Sequence, residues 1–150
     1  MRLSQQPKLV TNSRSAEGVR EQGVPTFSIV VPAFCEQSNL LKLYEEIVAA
    51  VTEETWELVI VDDGSTDNTW SEIFELHKQD SRVKGLRLSR NFGHQYALFA
   101  GLANAAGQAI ITLDADLQHP PAIIPQLLSH WREGSKIVHT VRIDPETTPG

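Results

Sequence analysis

The stretch AIITLDADLQHPPAII, residues 109–124, changes character twice. A short apolar run stops at two aspartates one residue apart, and two prolines then lead into a second apolar pattern. The run has the length and composition of a buried strand. The prolines suit the first turn of a helix, where a missing N–H costs nothing. The stretch therefore reads as strand, polar loop and helix, with two carboxylates placed where the chain leaves the sheet.

The same unit recurs on both sides of it. Strands are predicted at TFSIVV (26–31), ELVIV (57–61), VKGLRLS (83–89), AIITL (109–113) and KIVHTV (136–141). Leu40, Leu43, Tyr44, Ile47, Val48 and Val51 fall on one helical face, with Ser38 or Asn39 as cap. Trp70, Ile73, Phe74 and His77 mark a second helix, capped from among Thr66, Asp67 and Asn68. Residues 94–106 form a third, Ala-rich helix that Gly107 is expected to end in a left-handed conformation. Ile124, Leu127, Leu128 and Trp131 mark a fourth, whose first turn Pro125 should make irregular. Strands alternating with helices give an α/β fold: three layers, α/β/α, around a mostly parallel sheet with right-handed crossovers.

Composition agrees with a single ordinary domain. The chain has 150 residues, 41% hydrophobic and 21% charged, enough to bury roughly 68–70% of its unfolded surface without staples. A net charge of −6 argues against nucleic acid as a partner. Cys35 is the only cysteine, so no internal disulfide can form. No apolar run approaches the roughly 18 residues of a membrane span. Residues 1–24 are polar and aperiodic and are expected to be a mobile leader. The final RIDPETTPG ends in turn residues without a cap or closing element and is expected to be a cut end.

Each unusual polar cluster follows a strand: PAFCE, DDGSTD, RNFGHQ and DADLQHPP. Ligands of open α/β sheets bind beyond the carboxyl ends of the strands, so four such clusters define one site. Asp114 and Asp116 would repel each other in a partly dry cleft. A divalent cation removes that penalty, and Mg²⁺ sits on one or two carboxylates plus substrate phosphates. The alternative is that Asp114 ends the strand and Asp116 caps the next turn. In VDDGSTDNT, Asp62, Asp63 and Asp67 surround Gly64; they could accept hydrogen bonds from a nucleoside or simply build a turn and a helix cap. A calcium loop is set aside, because the closing Glu is missing and a strand precedes the segment. Glu36 fits the same pocket or a solvated position. Arg90 and Asn91 fit a phosphate or, for Arg90, a sheet-edge carboxylate. His94, His119 and His139 have structural defaults. Zinc spacings, a phosphate-binding P-loop, a dinucleotide-binding glycine fingerprint and a nucleophile elbow are all lacking.

Together, IVVPAFCE, LVIVDDGSTDNT, SRNFGHQYALFAGLANAAG and TLDADLQHPP resemble the family-2 inverting glycosyltransferases of GT-A fold, over Phe27 to Arg142. The likeness is to the polyprenyl-phosphate branch, which includes dolichol-phosphate mannosyltransferase and undecaprenyl-phosphate glycosyltransferases. The resemblance implies that Pro32, Ala33 and Glu36 line a nucleotide pocket, that Asp63 contacts base or ribose, and that Gly64 and Ser65 shape its loop. Asp114 would face the nucleotide-sugar, Asp116 would bind Mg²⁺ or Mn²⁺, Gln118 would shape the donor site and Arg142 would meet phosphate. Asp114 and Asp116 are thereby the expected catalytic pair. The implied reaction moves a sugar from a UDP- or GDP-sugar, with inversion, to a lipid phosphate. An anionic acceptor needs no strong general base. The implied setting is cytoplasmic, at the cytoplasmic face of a membrane in the complete enzyme, with residues 25–150 as the nucleotide-sugar-binding part.

The chain departs from the family pattern in three places. Phe34-Cys35 stands where Tyr-Asn is common, and His119 replaces a commonly acidic residue. The sequence stops at Gly150, where family members continue into an acceptor-binding half and often membrane helices. Two further readings stay open on the residues: a nucleotide-sugar-binding module without turnover, and a metal-dependent phosphohydrolase using Asp114, Asp116 and His119.

Overall fold

The computed structural model describes residues 8–10 and 23–138. Five strands and four helices follow one another as β1 (Lys8–Val10), β2 (Phe27–Ala33), α1 (Leu40–Ala50), β3 (Trp56–Asp62), α2 (Thr69–Gln79), β4 (Val83–Arg87), α3 (His94–Asn104), β5 (Ala109–Thr112) and α4 (Ile124–Arg132). A 3-10 turn, Pro121–Ile123, leads into α4, so the irregular entry expected there is present. The sheet order is β1-β4-β3-β2-β5. β2 to β5 are mutually parallel, as the alternating pattern requires.

Every residue of β2 and of β3 is buried, which is why both read as continuous apolar runs rather than alternating ones. Their side chains divide between two layers. Ile29, Val31, Leu58 and Ile60 join Leu40, Leu43, Ile47, Ile73, Ile124 and Leu128 beneath α1, α2 and α4. Val30, Val59, Val61 and Leu86 face Ala97 of α3 on the other side. The three-layer α/β/α architecture is therefore observed.

Four expectations are corrected. Within the segment read as a leader, Lys8–Val10 pairs antiparallel with β4 and occupies its otherwise open edge. The α1 cap is not made: Asn39 takes the N-cap position, but its side chain donates to the Glu36 carboxylate at 2.8 Å. α3 ends at Asn104, ahead of Gly107, which has no left-handed φ. Gly107 is needed for space: a Cβ there would lie 2.4 Å from the Ser28 nitrogen and 2.5 Å from the Phe27 carbonyl carbon. Lys136–Val138 carry no strand, and the rest of the predicted fifth strand lies outside the described residues.

At the amino ends of the central strands sits a buried polar cluster that apolar periodicity could not signal. Glu57, 3% exposed, accepts from the Ser28 hydroxyl at 2.6 Å and from the Ala106 N–H, and pairs with the Lys84 ammonium. The Gly107 N–H donates to the same Ser28 hydroxyl at 2.8 Å. One carboxylate thus ties the chain leaving α3 to β2, β3 and β4. Burial alone would raise the Glu57 pKa, but the Ala106 N–H, Lys84 and Ser28 together hold it below the ordinary value. A depressed folded value means that this stabilisation is complete above the ordinary glutamate range and is lost as pH falls through the folded value. Glu57→Ala leaves the Ser28 hydroxyl and Ala106 N–H without their acceptor and should cost on the order of 2–3 kcal/mol in urea unfolding. The variant should also lose part of the wild type's acid-side decline in stability, and equal slopes in both proteins would contradict the assignment.

Candidate functional site

β2, β3 and β4 step outward in one direction, and the chain then returns to place β5 on the far side of β2. The strand order reverses between β2 and β5, and there the loops beyond the two strands part to leave a crevice. A cavity of about 640 Å³ runs along β5 from Gln108 to Leu113, between Leu98 of α3 and Leu127 and Trp131 of α4, and reaches this crevice at Pro32 and Asp114. Pro32, His94, Asp114 and His119 line it together with Thr112 and Leu113 of the β5 end.

On one side of the crevice the loops after β2, β3 and β4 are joined into a single rim. Asp62 is fully buried, and its Oδ1 accepts the Ser65 N–H at 2.9 Å. The Ser65 hydroxyl accepts the Cys35 N–H at 2.9 Å, and the Thr69 hydroxyl accepts the Glu36 N–H at 3.0 Å. Asp63, 3% exposed, accepts the Phe92 N–H at 2.8 Å and the Gly93 N–H at 3.1 Å, while its own N–H donates to the Ala33 carbonyl at 2.8 Å. Gly64 turns with φ +72°, and a Cβ there would stand 2.3 Å from the Arg90 carbonyl carbon. Only glycine allows both the turn and the contact.

The β5 loop is different. Asp114 is half-exposed, with Oδ2 4.0 Å from His119 Nδ1. Asp116 is exposed, and among the described residues its Oδ1 accepts one hydrogen bond, from the Gln118 N–H at 3.2 Å. Between them and the prolines, Leu117 has φ +63°, and Cys35 on the facing loop has φ +52°. Non-glycine residues in the left-handed region carry strain of the kind that collects at ligand sites.

The expected residues thus divide into groups. Pro32 and Asp114 meet in the cavity. Ala33, Asp63, Gly64 and Ser65 form the rim, with Glu36 beside them holding Asn39. Asp116 and Gln118 extend the β5 loop outward, and Arg142 lies outside the described residues. Asp67 serves the turn, as its structural alternative had it: its carboxylate accepts from the Thr69 N–H and hydroxyl, and the Thr69 hydroxyl, then its N–H, hold its pKa down. Arg90 lies over the Phe92 ring at 4.0 Å, whereas Arg87 approaches the buried Asp62 at 3.5 Å. Three residues had been given too little weight. His94 and His119 reach the cavity because each follows a strand end, a signal that applied to them as much as to the aspartates. Asp62 anchors the rim, and nothing in its spacing separates it from Asp63.

The Glycosyl transferase family 2 domain matches residues 28–149. The chain belongs to this family. A glycosyltransferase of Shewanella sediminis, undecaprenyl-phosphate 4-deoxy-4-formamido-L-arabinose transferase, is 42% identical over 125 residues, covering 81% of this chain and 38% of that protein. An uncharacterized glycosyltransferase of Synechocystis is 41% identical over 117 residues, 77% of this chain and 37% of the relative. The chain therefore spans a little over a third of the length of these relatives. In fold it is similar to the mannosyltransferase PcManGT from Pyrobaculum calidifontis in complex with GDP-Man and Mn²⁺ (TM-score 0.61, 22% identity, 73% of this chain and 33% of that one). It is also similar to S. aureus TarS 1-349 in complex with UDP-GlcNAc (TM-score 0.61, 24% identity, 72% and 31%). Family-2 membership removes the phosphohydrolase reading.

For this family-2 glycosyltransferase chain, two substitutions test the rim. Asp63→Ala leaves the Phe92 and Gly93 N–H groups unpartnered and should cost about 2–3 kcal/mol, with faster amide exchange at those two positions. Cys35→Asn places in the left-handed region a residue that tolerates it, and should raise stability by about 0.5–1 kcal/mol in thermal unfolding. A destabilised Cys35→Asn protein would show that the thiol makes a contact worth more than the strain.

Proposed function

We propose that this chain is the donor-binding part of a glycosyltransferase that moves a sugar, with inversion, from a nucleoside-diphosphate sugar to a polyprenyl phosphate. The observation that carries this reading is the pair Asp114 and Asp116 on the loop beside the crevice where the strand order reverses. The relatives named as undecaprenyl-phosphate transferases support the acceptor class, and the GDP-Man and UDP-GlcNAc of the structural neighbours support the donor class.

The two carboxylates fit a hard divalent cation, Mg²⁺ or Mn²⁺. Both are accessible and supply oxygen ligands. Among the described residues no group of three or more His, Cys, Asp or Glu could hold a metal ion, so the ion would share its coordination with donor phosphates. Asp116 is its ligand from the protein. Its Oδ1 is oriented by the Gln118 N–H, and lone pairs remain on both oxygens. When bound, the cation offsets the negative charge that develops on the departing nucleoside diphosphate.

The chain's own groups do the rest. Pro32 and Ala33 end the strand on which the nucleoside rests, with Glu36, Asp63, Gly64 and Ser65 setting the shape of that rim. Asp114 accepts hydrogen bonds from sugar hydroxyls and holds the anomeric carbon toward the acceptor. A phosphate acceptor arrives already ionised, so no side chain has to remove a proton. Arg142 is the further phosphate contact, and the complete enzyme works at the cytoplasmic face of a membrane. Among the described residues no helix is long and apolar enough to cross one. Because the chain spans just over a third of its relatives, the second reading, binding without turnover, applies to these residues taken alone.

Calorimetric titration of GDP, UDP and their sugars with Mn²⁺ or EDTA tests the site. One nucleotide should bind with Mn²⁺, and either EDTA or Asp116→Ala should weaken it at least about tenfold, which is roughly 1.4 kcal/mol. Binding that ignores both the chelator and the variant would remove the cation from the proposal.

A further inference from the structure

From Asn91 through Leu113 the sequence contains no Asp, Glu, Lys or Arg, in a chain that is 21% charged. α3 lies within this stretch. The outer faces of α1 and α2 carry Lys42, Glu45, Glu72, Glu75 and Lys78, as surface helices do. α3 fully buries only Ala97 and Gly101 against the sheet, and outward it presents Tyr96, 62% exposed, and Phe99, 69% exposed, nearly one turn apart. The apolar surface continues onto the sheet. Val30 pairs with Thr112 and faces α3, so by alternation Ile110 faces the same side, and it is 43% exposed. Leu98 and Ile110 also line the cavity that holds Asp114. The chargeless helix therefore adjoins the site on its Leu98 side and exposes Tyr96 and Phe99 on its remaining surface.

α3 carries exposed polar residues at its ends, His94, Gln95 and Asn104, but between them it exposes two aromatic rings with no charge beside them on the helix, and such a surface calls for a cover. Two rings exposed to about two thirds, with part of an isoleucine, offer roughly 300 Å², well short of the roughly 800 Å² per partner of a stable protein interface. Aromatic side chains projecting from a chargeless helix beside a polar site match instead the interfacial zone of a bilayer. We propose that the outer face of α3, through Tyr96 and Phe99, rests on a lipid surface and brings the crevice to the level at which a lipid phosphate emerges. This rests on the lipid-phosphate acceptor proposed above. The contact is apolar: α3 has no cation, and a net charge of −6 disfavours anionic headgroups.

Cosedimentation with sucrose-loaded phosphatidylcholine vesicles tests the assignment, with and without added phosphatidylglycerol and at low and high salt. The chain should bind phosphatidylcholine, gain nothing from the anionic lipid, and be insensitive to salt. The exposed double substitution Tyr96→Ser with Phe99→Ser, checked for folding by circular dichroism, should lose at least roughly tenfold in partitioning while keeping its nucleotide titration. A folded wild type that does not bind vesicles overturns the proposal, whatever its nucleotide binding. Binding that needs phosphatidylglycerol and fades with salt also overturns it. So does a wild-type dimer in light scattering that the double variant abolishes, which would give the patch to a second copy of the chain. Vesicle binding without nucleotide binding would instead count against the donor reading and leave the surface assignment standing.

Discussion

The seven-residue parallel pairing of β2 with β3, buried on both faces along its whole length, is the constraint from which the rest follows. β2 is covered by helices above and below and by strands on both edges, so the backbone hydrogen bonds of its core can be satisfied only within the sheet. That position forces β5 to join on the side of β2 away from β3. The reversal in strand order, and hence the crevice, is a consequence of where β2 lies. The site exists because a central strand must be flanked on both sides by later ones.

This is also why so much of the fold was legible. Burial on both faces leaves a continuous apolar run, and each run ends where polar residues gather, so strand ends and site loops announce each other. β2, β3, β4 and β5 all appear where the pattern put them. What could not be read were features that depend on distant backbone. Gly107 looks like a helix stop but is required by the passage of β2 beside it. Glu57 looks like an exposed position in a strand, yet it gathers bonds from residues far away in sequence. Pairing of Lys8–Val10 with β4 follows from an open strand edge that exists only once the sheet is built. In the loops after the strands, residue type and place single out the aspartates, but nothing in their spacing separates the buried ones from the exposed ones.

Those surroundings separate the four aspartates physically. Asp62 and Asp63 are buried and accept backbone N–H groups, Asp62 from Ser65 of its own loop and Asp63 from Phe92 and Gly93 of the loop after β4. The exception is Asp62 Oδ2, which has no hydrogen bond among the described residues and faces Arg87 at 3.5 Å. A buried carboxylate is tolerable only when donors surround it, so these two hold three loops in one arrangement. Their contribution is the shape of that rim.

Asp114 and Asp116 stand at the opposite extreme. Among the described residues their loop follows β5, the outermost strand on that side of the sheet, with a single backbone bond to Asp116 and a distant histidine beside Asp114. Most of their acceptor capacity is open to solvent, where carrying two charges costs little until something replaces the water. Under the proposed function, a cation with its phosphates would do so without first breaking a bond among the described residues. The loops thus differ: those after β2 and β3 are fixed by buried carboxylates that accept backbone N–H groups, and the loop after β5 carries carboxylates exposed to solvent. The division follows from burial: the central strands β2 and β3 carry the fixed loops, and β5 carries the exposed one.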